Sequence, residues 1–372
     1  MFRVYSLKVQ KPDVAYFSRL FAEAKWWTNA MIEADDLKAF DLKQTTVMVK
    51  RGEAVEPETL KYLSAQTRQQ LNRRMWDNLK GLKARKANGG KVGRLKFRAF
   101  VNSIPLSNQS FSFKGNRLKL GKAPRSFRVL GLKQLGDAPD VRSGCLIRKP
   151  SGLYLSVTVK LPDETPVKCG YVGLDMGVKD ALVFSDGTAV NFADKKLERQ
   201  IKSAHRSVSR KKKGSRNRHK AKAEVRRLEE VFRNRQDDAV NKLVNKLKPH
   251  TVCMQDELLA GWKRLFGKKL QRGVLGRFKA KLKMDSATVV LSAALPTTQL
   301  CPACGSLNKH GLSERTYRCG CGYVKARDWH SAQNMIYLGV DSAAVESVLD
   351  VGRMLKGIQS AHLTVKQEAP CL

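Results

Sequence analysis

Near the C-terminal end of the chain two short cysteine pairs, Cys301-Pro-Ala-Cys304 and Cys319-Gly-Cys321, lie fourteen residues apart. Thiolates at such spacing bind a soft divalent ion, and four of them leave no open position, which predicts one structural Zn²⁺ in a ribbon. Cys-Gly-Cys is tighter than the commoner Cys-x-x-Cys, and glycine permits it. His310, in the loop between the pairs, is the alternative fourth donor. Directly after the second pair comes Arg327-Asp328-Trp329-His330-Ser331-Ala332-Gln333-Asn334. Its acid opens a helical pattern with Ala332 and Met335 on one side, and His330 reads as a helix-surface or substrate-side residue. Two further acids stand at apolar strand ends: Asp175 in Val172-Gly-Leu-Asp175-Met-Gly-Val178, and Glu257 after Thr251-Val-Cys-Met254. Three carboxylates from distant positions, brought together, hold hard ions such as Mg²⁺, and a metal-dependent nuclease needs such a set. A lone acid in an apolar strand is costly without such an ion. Asp256 is the alternative to Glu257, since alternation along a strand lets only one of the two face a given side.

The rest of the chain is strongly basic. It has 71 Lys+Arg against 33 Asp+Glu, so the net charge is 71 − 33 = +38. Such self-repulsion does not suit an enzyme of small metabolites and fits a polyanionic partner, because Lys and Arg bound to phosphates release counterions. At 372 residues and 42% apolar content, however, the chain can bury a real core across two or three domains. Cys145, Cys169, Cys253 and Cys371 are scattered, so the paired cysteines predict metal rather than disulfides and a reducing, intracellular compartment. Met1-Phe2-Arg3-Val4-Tyr5 opens no apolar leader, and no run of about 18 apolar residues predicts a membrane span.

The elements that must position the acids follow from periodicity. Residues 2–10 alternate as a strand. From Pro12 to Lys86 apolar residues recur at helical spacing (Phe17, Leu20, Phe21, Ala24; Leu63, Leu71, Met75, Leu79), with Trp26, Trp27 and Trp76 as core between helices. Glu53–Glu58, with Pro57, reads as a linker. From Gly93 to Pro162 short β-like runs follow: Leu95–Phe100, Ser110–Phe113, Arg117–Leu120, Cys145–Arg148 and Leu153–Val159, a small barrel or sandwich. Val172–Val178, Asp180–Phe184 and Thr188–Phe192 read as the opening meander of an RNase H-like fold. A basic helical region, Asp194 to Leu247, is split at Lys211-Lys-Lys-Gly-Ser-Arg-Asn-Arg218, and Lys211, Lys212, Lys213, Arg216 and Arg218 are candidate contacts to a nucleic-acid backbone. A strand at Thr251–Met254, a basic helix at Leu270–Leu282 and a strand at Ala287–Ala294 complete the fold, which the cysteine module interrupts. After Asp341 the pattern is a short helix and a loose tail.

In combination, Val172-Gly-Leu-Asp175-Met-Gly-Val178, Gln255-Asp-Glu257-Leu-Leu-Ala-Gly-Trp262, Cys301-Pro-Ala-Cys304-Gly and Cys319-Gly-Cys321-Gly…Arg327-Asp328-x-His-x-Ala-x-Asn-Met335 resemble the TnpB, or OrfB, family of insertion sequences. The resemblance covers essentially the whole chain. It implies an RNA-guided DNA endonuclease, with guide RNA and target double-stranded DNA as partners and a monomer or homodimer on the RNA. It implies an α+β multidomain fold: a β-barrel wedge domain (1–10 and 93–166) with an inserted helical recognition domain (11–92). An RNase H-like (RuvC) α/β nuclease domain (167–295 and 325–340) follows, with an inserted zinc ribbon (296–324), then a C-terminal tail (341–372). It assigns Asp175, Glu257 and Asp328 as catalytic acids holding two Mg²⁺, beside the one Zn²⁺ on Cys301, Cys304, Cys319 and Cys321. The family's third motif often reads Asp-Arg-Asp-x-Asn, whereas here it is Ala326-Arg327-Asp328-Trp329-His330, so one acid and the usual Asn are absent.

Other readings compete with guided cleavage. A compact type V CRISPR effector would use the same mechanism. A guided DNA-binding repressor would lose one or more of the three acids. A strand-transfer transposase would need a catalytic tyrosine arrangement. A structural RNA-binding protein would have no use for converging acids.

Overall fold

The structure, a computed structural model, describes residues 2–340 and 364–367, apart from 35–36, 38–39, 137–138, 163–168, 258, 268–273 and 312. The chain divides into two units, Met1–Glu164 and Thr165–Leu372, and the fold is mixed α/β and multidomain.

The first unit is built on β1 (Phe2–Val9), whose alternation buries Leu7 and Val9. Helix α1 (Val14–Glu33) starts where the Asp13 carboxylate accepts the Tyr16 N–H at 3.0 Å, and it buries Phe17, Leu20, Phe21, Ala24 and Trp27 along one stripe. A hairpin of β2 (Thr46–Arg51) and β3 (Ala54–Thr59) precedes α2 (Ala65–Ala87), which Ser64 caps by accepting the Thr67 N–H. Then come β4 (Ser103–Ser107), β5 (Phe111–Lys114), β6 (Arg117–Leu120), β7 (Phe127–Leu130), β8 (Asp140–Lys149) and β9 (Gly152–Lys160). They form one seven-stranded sheet in the order β4-β8-β9-β1-β7-β6-β5, antiparallel throughout. A 3₁₀ turn at Asn108–Ser110 links β4 to β5, and the Phe111 ring fills the space where a Cβ on Gly144 of β8 would lie. One apolar core runs from this sheet into both helices.

Two sequence expectations change here. The linker expected at Glu53–Glu58 lies mostly within strand β3, with Pro57 opposite Met48 in an isolated two-stranded hairpin. Such a hairpin has an outer edge on each strand, where a missing N–H costs no ladder bond. The strand expected at Leu95–Phe100 is absent, and the segment is exposed along its length, because neither alternating set of side chains meets an apolar surface. Strand β2, within the stretch read as helical, and strands β4 and β7 were not read from the sequence. Each has only two fully buried side chains, too short a pattern for periodicity to register.

The second unit opens with β10 (Tyr171–Met176), β11 (Leu182–Phe184) and β12 (Thr188–Asn191), the antiparallel meander. Helices α3 (Lys195–Ser209) and α4 (Arg216–Leu247) follow as a basic pair that shares a small core of Leu197, Ile201, Leu228 and Phe232. Then come β13 (Thr251–Gln255), α5 (Leu259–Phe266), α6 (Leu275–Asp285), β14 (Ala287–Leu291), β15 (Thr316–Arg318), β16 (Val324–Ala326) and α7 (Arg327–Gly339). The sheet order is β14-β13-β10-β11-β12-β17, where β17 is Thr364–Gln367. Pairs β10–β13 and β13–β14 are parallel. Val172 and Leu174, like Val252 and Met254, are fully buried, as strands covered by helices on both faces require. The end of α4 (Ala239, Val240, Leu243, Val244, Leu247) and Phe278 and Leu282 of α6 pack in that core.

The expected loose tail is corrected at one point: Thr364–Gln367 adds an antiparallel edge strand to β12. The short helix expected after Asp341, and Cys371, lie outside the described residues. The basic helix expected from Leu270 begins at Leu275, and 270–273 also lie outside them.

Candidate active site and metal centre

The acids come together because β10 and β13 are adjacent and parallel. Leu174 pairs with Met254, so Asp175 and the residues after Gln255 leave the sheet at the same carboxyl end. That end is where open α/β sheets place their sites. Helix α7 supplies the third acid by lying directly on β10. A Cβ on Gly173 would sit 1.8 Å from the Ala332 carbonyl oxygen, so only glycine allows the approach. Asp328, one turn before Ala332, therefore faces the Asp175 strand end. The carboxyl of Asp175 is held well above the usual range, first by burial, then by the Asp328 charge, with Glu257 adding to it. Ser331 and Arg327 oppose that rise. The charges of Asp328 and Glu257 thus both bear on Asp175, while Arg327 at 3.6 Å and Arg315 at 4.0 Å stand beside the Asp328 carboxylate. A set of three carboxylates fits Mg²⁺ as hard oxygen donors.

Asp256 and Glu257 separate by environment. Asp256 is exposed, and its carboxylate accepts from Lys279 Nζ at 2.8 Å, with Lys283 at 3.7 Å. The Lys279 hydrogen bond and charge hold its pKa down. Glu257 is half-buried, and its pKa is raised by burial and by Asp256 against the pull of Lys279. Lys279 also donates to the Glu257 carbonyl at 3.0 Å, which fixes the backbone where it leaves β13.

Sequence reasoning missed the polar chain beneath Asp175. The Ser331 hydroxyl lies 3.0 Å from Asp175 Oδ1 and 3.2 Å from Thr297 Oγ1. Thr297 donates to Gln255 Oε1 at 3.1 Å, and Gln255 Nε2 donates to the Ser292 and Leu295 carbonyls. Asn334 Nδ2 donates to the Thr297 and Leu300 carbonyls at 2.8 and 2.7 Å. The strand-to-ribbon loop is thus sewn to α7. The available signal was spacing: positions 331 and 334 fall at i+3 and i+6 from Asp328.

The four cysteine sulfurs lie within 4.8 Å of one another, with Cys301–Cys321 at 3.7 Å and Cys304–Cys319 at 3.5 Å. Tetrahedral zinc with Zn–S bonds of ~2.3 Å puts its sulfurs about 3.8 Å apart, so the set fits that ion. The Cys321 backbone N–H and the Ser306 hydroxyl favour thiolate at Cys319 and draw its pKa down to about 5. His310 instead contacts Glu314 at 3.1 Å and packs edge-on against Tyr317.

His330 does not lie on the helix surface or toward a substrate. It is fully buried and stacked on Tyr317 of the ribbon, with ring centroids 3.8 Å apart, and its Nε2 lies 3.1 Å from Asn334 Nδ2. A position one turn below Ala326 on a helix that meets the ribbon is an interior one, which sequence spacing alone does not show. Burial draws its pKa down to about 4, with Lys325 and His310 adding to the effect. That part of the stability is complete above the ordinary pKa of 6.5 and fades as pH falls toward 4. His330→Ala is expected to cost about 3 kcal/mol through the lost ring packing. Denaturant melts at pH 7.5 check this, and an unchanged midpoint would remove the stack from the account.

Of the basic candidates, Lys212, Lys213 and Arg216 are exposed. Lys211 donates to the Ser207 hydroxyl at 2.8 Å, and Arg218 donates to the Lys211 carbonyl at 2.7 Å, so these two brace the α3–α4 turn.

Fold and site together define a mixed α/β protein with three acids at one sheet end, tied to a four-cysteine ribbon. A family model described as "Probable transposase" (OrfB_IS605) matches residues 154–254, and one described as "Cas12f1-like, TNB domain" matches 276–335. The chain is related to the TnpB/OrfB family. Asp175 falls in the first match, and Asp328 with the four cysteines in the second. A relative from Streptomyces pristinaespiralis, named "Putative RNA-guided DNA endonuclease", is 27% identical over 72% of this chain and 69% of its own. One from Escherichia coli (strain K12), named "Putative RNA-guided DNA endonuclease InsQ", is 28% identical over 55% and 58%. A solved structure titled "Cryo-EM structure of the Cas12f1-sgRNA-target DNA complex" is 15% identical, with TM-score 0.44, covering 73% of this chain and 71% of that one. Among the described residues, no helix is long and apolar enough to cross a membrane.

Proposed function

We propose that the chain is an RNA-guided DNA endonuclease that hydrolyses phosphodiester bonds at Asp175, Glu257 and Asp328. The observation that carries this is the convergence of three acids at the carboxyl end of β10 and β13, where Asp328 and Glu257 both raise the proton affinity of Asp175. In this reading the three carboxylates hold two Mg²⁺, which supply the charge that activates water and stabilises the leaving oxygen. Ser331 orients the Asp175 carboxylate, and Lys279 neutralises Asp256 and keeps it out of the acid set. Base pairing with a guide RNA selects the target, and the protein reads a short flanking duplex motif. The exposed cations of α3 and α4 hold nucleic-acid backbone. The domain boundaries of the resemblance, wedge 1–10 and 93–166, recognition 11–92, nuclease 167–295 and 325–340, ribbon 296–324, belong to the same proposal.

Co-expression with the native genomic flanks and sequencing of the co-purifying RNA tests it. A discrete RNA ending in a variable segment, and Mg²⁺-dependent cutting of DNA complementary to that segment, are expected. Heterogeneous RNA and no cutting would overturn it. Within the site, Glu257→Gln is expected to lose cleavage by a factor on the order of 10² or more, while Asp256→Asn stays within a fewfold. The reverse order would move the ligand to Asp256. A guided DNA binder that cuts weakly is favoured by one observation: His330, where the family has Asn, is turned into the ribbon core rather than toward the acids.

A further inference from the structure

Between α2 and β4 the chain runs exposed through Lys91-Val-Gly-Arg94-Leu95-Lys96-Phe97-Arg98-Ala99-Phe100. Phe97 and Phe100 are 62% and 70% exposed, and Leu95 beside them 41%. Four cations are interleaved with these apolar residues and no acid occurs from Asn88 to Asn102. None of the four pairs with an acid among the described residues. Arg74 has its pKa lowered by burial and also by the charge of Arg98, so cations here repel one another. The strip is nevertheless held in place. Asn29 of α1 donates to the Arg98 carbonyl at 3.1 Å and accepts the Arg98 N–H at 2.7 Å, pairing with the backbone as a neighbouring strand would.

We infer that this strip is a docking surface for an unpaired stretch of RNA, with bases on Phe97 and Phe100 and phosphates on Lys96, Arg98 and their neighbours. Aromatic rings alternating with cations suit a single strand, whose bases offer π-faces and whose backbone offers charge. A duplex hides those faces. A protein partner would need acids to answer four unpaired cations at once. Two exposed phenylalanines are a standing liability unless something covers them. The covering partner is therefore the one bound throughout the protein's life, which favours the RNA over a transient DNA target. The inference rests on the RNA-guided reading only for that last choice.

The test uses the full chain stripped of RNA at high salt, without added Mg²⁺, and a labelled unstructured 15-nucleotide RNA probe in fluorescence anisotropy over a salt series. Phe97→Ala/Phe100→Ala is expected to weaken binding about fivefold or more per ring with an unchanged salt slope, as lost stacking requires. Lys96→Ala/Arg98→Ala is expected to lower the slope by about 0.7 per side chain. Because the rings are exposed, melting midpoints should not move, and cross-linking of a 4-thiouridine probe to the 91–100 peptide gives a second readout. RNA affinity unaltered by the ring substitutions, with no cross-link there, overturns the inference. A loss confined to single-stranded DNA overturns it in favour of a DNA face. Guided cleavage that survives silent rings would leave the nuclease reading standing without this surface. Ring-dependent RNA binding in a chain that never cuts would do the opposite.

Discussion

Asp175→Ala is expected to reduce Mg²⁺-dependent DNA cleavage by a factor on the order of 10³ or more while leaving RNA affinity unchanged, the scale on which loss of a transition-state group shows. Asp175 stands at the centre of the three acids: burial, Asp328 and Glu257 all bear on it, in that order. Retained cutting in this variant would sink the metal-site assignment. Asp175→Asn separates catalysis from folding. An acid whose folded pKa is raised loses folding free energy as it ionises, so its charge destabilises the metal-free chain as pH rises. The Asn variant is therefore expected to melt about 2–4 °C higher without Mg²⁺, the shift that ~1 kcal/mol gives in a unit this size. It should also lose the extra stabilisation that Mg²⁺ gives the parent chain. Cleavage in the parent should fall with decreasing pH, since protonation of Asp175 competes with the ion.

Cys304→Ser is expected to empty the ribbon of zinc, from one equivalent to none, and to lose cleavage with it. Structural zinc contributes about 10–16 kcal/mol to small modules that have no core of their own. The consequence reaches the acids because β16 runs into α7 without a loop: Ala326 ends the strand and Arg327 begins the helix that carries Asp328. The Tyr317–His330 stack and the Asn334 bonds to Thr297 and Leu300 tie the same helix to the ribbon. Metal analysis and a cleavage assay on one preparation check both halves. Unchanged zinc content would argue against this four-thiolate set, and zinc loss with full cleavage would uncouple the ribbon from Asp328.

The second unit was the more legible in sequence. Val172–Val178 and Thr251–Met254 are largely apolar on both faces, a pattern that strands covered on both sides use, and the first carries Asp175 while Asp256 and Glu257 follow the second. The break at Lys211–Arg218 correctly divides two helices because glycine and consecutive charges cannot continue an amphipathic stripe. The first unit was less legible. Leu95–Phe100 alternates like a strand yet finds no partner, and Glu53–Glu58 carries a proline yet forms one, because pairing depends on which edge is open.

By itself the sequence offered the candidate donors: four cysteines at ribbon spacing, two acids at apolar strand ends and a third at a helix start, within a chain whose net charge of +38 calls for a polyanion. These are chemical identities, and composition and spacing carry them. Tertiary structure alone decided which neighbour faces where. It paired Asp256 with Lys279 and left Glu257 half-buried, turned His330 into the ribbon, and brought Ser331 onto Asp175 through an approach that the missing Cβ of Gly173 allows. The physical reason is that each of these contacts joins residues from separate elements, and only packing sets the distance between them.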